Sequence, residues 1–236
     1  MPAPQKDAPE FEGFDPNLFQ YLLELTANNN REWFKAKQAR YEGLIREPAR
    51  AFVRAMGGRL EAAEAHLTAD DRKVGGSLMR PQRDTRFSAD KTPYKTNVGV
   101  QFRHEAGKDV HAPGLYLHIS LEDCFMAIGM WRPERGALND IRAHIAEHPD
   151  RWRAIVEDPA FTARFERGGE SLKRPPKGYD KDHPLIEDLK RKDHILSQPL
   201  DPELLSSPAL VDELMAVFEA GRAYCAFLCE AQGLPF

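Results

Sequence analysis

The 236 residues are 42% hydrophobic, enough for a substantial core in one large domain, and the formal net charge of −4 argues against a protein that coats nucleic acid by bulk electrostatics. The longest weakly polar run, Cys124 to Trp131, has eight residues, far short of the roughly 20 that a membrane-spanning helix needs. Three cysteines without framework spacing, and a polar Pro/Ala-rich start without an apolar stretch, fit the reducing cytoplasm and a flexible tail over 1–12 ahead of a single domain over 13–236.

Asp15-Pro16 reads as a helix start, followed by Leu18, Phe19, Leu22, Leu23 and Leu25 at helical spacing and a stop at Asn28-Asn29-Asn30. Asn29 with Glu32 has the form of a capping box for a second helix whose stripe is Trp33, Phe34, Tyr41, Leu44 and Ile45. Pro48 either kinks this helix or opens the next, which runs to about Leu67 with Gly57-Gly58 weakening its middle. The period then changes. Lys73–Met79 suggests a short strand, and from Tyr94 the chain alternates, with Tyr94, Thr96, Val98, Val100 and Phe102 on one face and Lys95, Asn97, Gly99, Gln101 and Arg103 on the other.

A hairpin-type connection over His104–Pro113 leads to a second strand through Leu115, Leu117, Ile119 and Leu121, and Glu122-Asp123 turns into a third over Cys124–Trp131. These read as an antiparallel β-meander packed with N-terminal and C-terminal helices, an α+β fold. Its polar face, Lys95, Asn97, Arg103, Tyr116, His118 and Ser120, is either an ordinary solvated sheet face or the floor of a cleft. Helices are expected from Pro133 to His148, from Asp150 through Val156, from Asp158 to Gly168-Gly169 and from Leu185 to Lys192. An additional strand over His194–Leu200 and a long last helix after Ser207-Pro208 complete the pattern. That last helix carries Leu210, Leu214, Val217, Phe218, Gly221, Cys225 and Leu228 as its buried stripe.

The most committed stretch is Arg80 to Asn97. From Arg72 to Lys108 nine Lys/Arg face three acids, a surplus of six positive charges on an acidic protein. Guanidinium forks suit phosphates and carboxylates, which makes Arg80, Arg83, Arg86, Lys91, Lys95 and Asn97 candidate ligand-binding residues, with Asp84 orienting an arginine. The alternative is an internal lattice in which Asp84 and Asp90 pair the arginines and pin the loop. A second polar loop, Leu172 to Pro184, adds Lys173 and Arg174. Tyr94 and His118 are the proton-transfer candidates.

Phosphate-loop, dinucleotide, His-Glu-x-x-His, nucleophile-elbow and Cys-x-x-Cys patterns are all missing, no cofactor is indicated, and no metal site is expected. Cys225 and Cys229 have a ligand spacing that suits core thiols better, and His104, His111 and His183 form no metal triad by spacing.

The run resembles the signature of the bacterial family catalogued as domain of unknown function 2461, Arg-x-x-Arg-Asp-x-Arg-Phe-x-x-x-Lys-x-Pro-Tyr-Lys-x-Asn, met here by Arg80, Arg83, Asp84, Arg86, Phe87, Lys91, Pro93, Tyr94, Lys95 and Asn97. Asn29–Phe34, Gly129-Met130-Trp131 and Leu172–Pro175 extend the likeness over nearly the whole chain. The resemblance implies no activity. From the residues themselves the expected function is binding of a phosphorylated or carboxylated small molecule, with nucleic acid tracked by the two basic loops as the alternative.

Overall fold

In the computed structural model, which describes residues 10–86, 88–106 and 112–236, the chain enters the body at Phe11. Its ring is buried edge-on against Phe14 and Phe52, so the core takes in a residue that composition assigns to the tail; residues 1–9 of that tail lie outside the described residues. The Asp15 carboxylate accepts from the Asn17 N–H at 2.8 Å and starts α1 (Asn17–Ala27). The next helix, α2 (Arg31–Ala36), is capped by Asn30, whose side chain accepts from Trp33 N at 2.9 Å. Asn29 therefore does not cap. Instead its amide exchanges two hydrogen bonds with the backbone of Tyr94, at 2.9 and 3.0 Å.

A short α3 (Gln38–Tyr41) leads into a π-helical turn over Glu42–Arg46, and α4 (Glu47–Ala62) follows with Pro48 in its first turn. Proline lacks the N–H that a continuous α-helix would use there, and the π turn absorbs the mismatch. Of the two sequence readings, Pro48 thus opens a helix. Gly57-Gly58 do not interrupt α4, but it stops at Ala62, short of Leu67.

Among the described residues six strands then form one antiparallel sheet in the order β1-β2-β3-β4-β6-β5. They are β1 (Leu67–Thr68), β2 (Val98–His104), β3 (Gly114–Ile119), β4 (Cys124–Met130), β5 (Glu166–Gly168) and β6 (His194–Pro199). The expected three-stranded meander is its centre, and β6 adds to the free edge of β4. Two sequence expectations change. The Lys73–Met79 strand reduces to an isolated bridge between Leu78 and Val100, while Tyr94 bridges Gln82 ahead of β2.

Register partners Val100, Leu117 and Met126 line up across three strands, as do Leu115, Ile128 and Leu196, and this face is fully buried. It is covered by α9 (Leu210–Glu230), which lies on β4 and touches α4, and Phe52 of α4 meets the Phe102 ring edge-on. Every residue of the expected stripe on α9 is buried. Between β4 and β6 come α5 (Arg135–Glu147), α6 (Pro149–Val156), α7 (Pro159–Arg164) and the four-residue α8 (Ile186–Leu189). The Asp158 side chain caps α7 on Phe161 N at 2.8 Å. Among the described residues no helix is long and apolar enough to cross a membrane.

Gly129 marks where β4 meets β6. Its φ is +127°, and a Cβ there would lie 2.1 Å from the His194 carbonyl oxygen. Gly129→Ala is therefore expected to destabilise the fold by about 1–3 kcal/mol through backbone strain and a forced separation of the strands. A reduced urea midpoint at an unchanged slope would show it, and an unaltered midpoint would refute the account.

Candidate functional site

The face of the sheet turned away from α9 is the floor of a cleft of about 740 Å³. Strand alternation decides what points into it. Gln101, Tyr116 and Ala127 are register partners across β2, β3 and β4, as are Gly99, His118 and Phe125. Lys95 and Asn97, on the same parity just before β2, also line it, together with Arg103, Met79 and Trp131. The expectation that the polar strand face floors a cleft is met by five of its six residues. The sixth, Ser120, is used up in the β3–β4 turn, where its hydroxyl donates to the Asp123 carbonyl at 2.9 Å.

Lys95 has the least compensated charge on the floor. Its ammonium is half-buried, and the one contact described for it is the Met79 sulfur at 3.9 Å, a weak acceptor. Burial, and then the nearby Arg80 cation, hold its pKa below the usual lysine value. Arg80 is exposed and, among the described residues, has no ion pair or hydrogen bond from its side chain. Among the described residues the Arg103 guanidinium meets the Gln101 amide oxygen, at 3.2 Å.

On β3 the Tyr116 hydroxyl lies 3.0 Å from His118 Nδ1, and His118 Nε2 lies 3.4 Å from Asp123 Oδ1. The tautomer in which Tyr116 donates to Nδ1 leaves the Nε2–H for Asp123. His118 stacks on Phe125 with centroids 4.7 Å apart. Burial lowers the His118 pKa despite Asp123, which keeps the ring neutral at pH 7, and burial pushes the Tyr116 phenol up to about 12. Gly99 leaves room for this pair, since a Cβ there would sit 2.8 Å from the Tyr116 hydroxyl.

The rim is set by a buried carboxylate. Asp193, at the start of β6, accepts from Arg132 N at 2.7 Å and from Glu170 N at 2.8 Å. This holds Arg132 at a φ of +52° and leaves Trp131 69% exposed beside the cleft, with the Arg132 guanidinium 4.8 Å above its ring.

The basic run divides in two. Arg83 pairs with Asp90 and donates to Thr92 Oγ1 at 2.6 Å, Arg86 forks onto Asp84 at 3.0 and 2.6 Å, and Lys91 donates to the Thr85 carbonyl at 2.9 Å. For these residues the internal-lattice alternative describes the arrangement, and none of them lines the cleft. Asp84 is engaged with Arg86 away from the cleft. Its pKa is drawn down to about 2 by the Arg86 side chain and N–H, and that of Asp90 to about 2 by the Thr92 N–H and Arg83.

Tyr94, the other proton-transfer candidate, does not line the cleft with His118. Its ring is buried and stacked on Phe34, 4.0 Å between centroids, beside a separate small cavity of about 210 Å³. Lys173 and Arg174 are exposed and line neither cavity. Phe87 and His111 lie outside the described residues. Cys225 and Cys229 are buried thiols with raised pKa values, the latter up to about 12.

Sequence reasoning missed Asp123 and Trp131 as site residues. Trp131 was findable as a large aromatic ending a strand whose preceding residues alternate toward the cleft. Asp193 carries no local signal, because its two partners are 61 and 23 residues away.

Residues 17–227 match the family described as conserved hypothetical protein, DUF2461. Comparison with curated proteins and with solved structures gives no match.

The pairing of the run has a pH signature. Because the carboxyls of Asp84 and Asp90 are depressed to about 2, below the unperturbed ~3.9, their pairing contributes order that is complete above about pH 4 and is lost as pH falls through 2. Carbon-13 titration of the carboxyl groups is expected to give midpoints near 2 for both; midpoints at the unperturbed value would dissolve the lattice.

Proposed function

The chain belongs to this family of conserved hypothetical proteins, and since membership supplies no chemistry we propose, from the cleft itself, that it binds a phosphorylated or carboxylated small molecule on the open face of the sheet. The observation that carries the reading is Lys95, a half-buried cation in a large cleft with no ion pair to a carboxylate among the described residues. An ammonium removed from water without a counter-ion is a local cost, and an incoming anion relieves it.

The cleft falls within the roughly 300–1,000 Å³ range of small-molecule sites. Arg103 and, from outside the lining, Arg80 add positive potential. Phe125, Ala127, Ile195 and Trp131 supply an apolar side, so the ligand of best fit has one anionic group and a flat or apolar body. His118 is the floor residue able to exchange a proton near neutral pH, with Tyr116 and Asp123 orienting it.

The nucleic-acid alternative retains exposed cations, but the tyrosines of its two basic loops, on which bases could stack, are taken up by the protein itself. Tyr94 is stacked on Phe34, and Tyr179 is half-buried against the core.

A thermal-shift and calorimetric panel of sugar phosphates, nucleotides, aromatic carboxylates and short oligonucleotides tests the proposal. At least one small anion is expected to raise the melting temperature, as a ligand specific for the native state must. Lys95→Met should weaken that anion by tenfold or more, reflecting a charge-assisted bond of about 1.5–3 kcal/mol, whereas Arg86→Gln should leave it unchanged. Equal loss in both variants would return the anion to the loop. No response to any small anion, with salt-dependent oligonucleotide binding instead, would favour the alternative.

A further inference from the structure

On the helical side of the sheet, away from the cleft, α5 ends in His144-Ile-Ala-Glu147-His148. Spacings of three and four residues bring all three polar side chains onto one face of a helix. In the folded chain a ring nitrogen of each histidine and a carboxylate oxygen of Glu147 lie within 4.8 Å of one another. We propose that His144, Glu147 and His148 form a binding site for a divalent transition-metal ion of the zinc class.

Three observations support the site. First, the donors suit the ion. Two imidazoles and one carboxylate are the protein ligands of many open zinc sites, with Zn–N and Zn–O distances of about 2.0–2.2 Å, and leave one position for water or another molecule. Ligand atoms within 4.8 Å of one another need only small rotamer adjustments to converge on such an ion. Second, His144 is underused by the protein. Its Nε2 is buried without a hydrogen bond, and the nearest carboxylate, Glu230 at the end of α9, is 3.7 Å away, outside hydrogen-bond reach. Third, the neighbours hold the ring in place. Phe227 of α9 lies 4.5 Å from the His144 ring, and the His148 ring meets it edge-on at the same separation.

Glu230 completes the surroundings. Arg151 holds it through a bond of 2.7 Å and a second, shorter contact, which neutralises that cation and fixes the carboxylate beside His144. An ion here would tie the α5–α6 junction together next to the end of α9, where Glu147 and His148 are exposed to solvent.

The test uses untagged protein freed of metal by chelation, titrated with zinc by calorimetry, while cobalt(II) loading is followed by visible absorption. One equivalent is expected to bind, with cobalt bands of a low-coordinate nitrogen/oxygen site. His148→Gln alters an exposed side chain and should keep the metal-free melting temperature while weakening zinc at least about tenfold, the scale seen even for outer-shell changes. Glu147→Gln should weaken it too, and His66→Gln, at the separate pair with Glu105, should not. Absence of saturable binding, or an affinity indifferent to His148→Gln and Glu147→Gln, would overturn the assignment.

Discussion

The two-residue period of the central strands is the constraint from which both the fold and the site follow. Once Val100, Leu117 and Met126 are committed to the face beneath α9, the neighbouring positions have to project from the opposite face. Gln101, Arg103, Tyr116 and His118 therefore reach the cleft as a consequence of core packing. A slip of one residue between β2 and β3 would place Tyr116 and His118 under α9 and Leu115 and Leu117 in the cleft, so burial of the aliphatic face enforces the register of the site. Function and stability share a determinant here, and the cost of a misregistered sheet protects the floor.

Electrostatics in the basic run shows how a charge count differs from a charge distribution. Five cations and two acids between Arg80 and Lys95 leave a surplus, but the surplus is not shared evenly. Arg83 and Arg86 have planar forks that match carboxylates, and Asp90 and Asp84 take them. Lys91 reaches a carbonyl. The three remaining cations are Lys91, with its carbonyl, and, at the two ends of the run, exposed Arg80 and half-buried Lys95. The lattice and the anion-receptive reading of the loop thus apply to different residues of one loop: the paired part gives it a shape, and the unpaired part faces the cleft or its margin.

What was legible in the sequence was whatever depends on local periodicity. The stripe of α9, the three-strand meander and the polar parity of β2 and β3 could be read because burial acts on every second or every third to fourth residue. Less legible was whatever depends on distant partners. Tyr94 has the chemistry of a site residue, yet Phe34 and Asn29, from another part of the chain, claim its ring and backbone. Asn29 has the spacing of a cap, but Asn30 occupies that role. The short β5 escaped notice because three residues, Glu166–Gly168, offer too little pattern and gain their pairing from β6. The His144–His148 group was overlooked for another reason, since its residue order, His-x-x-Glu-His, reverses the familiar His-Glu-x-x-His pattern.

The loop's anchorage explains how a lysine comes to be held where its charge is least compensated. Asn29 grips both backbone groups of Tyr94, the Tyr94 ring stacks on Phe34, and the Lys95 N–H donates to the Pro81 carbonyl at 2.8 Å. With Tyr94 locked inward, the next side chain has to point outward along the sheet, and Lys95 is the next side chain. Its ammonium is thus directed by its neighbours' packing, with a sulfur atom to receive it among the described residues. A chain selected for stability alone would place a methionine or a paired lysine there, since an unpaired cation in a partly dry cleft opposes folding. Breaches of local consistency of this kind concentrate where a protein meets something other than itself, which is why Lys95, and not the more numerous arginines of the loop, is the residue on which the reading of the cleft turns.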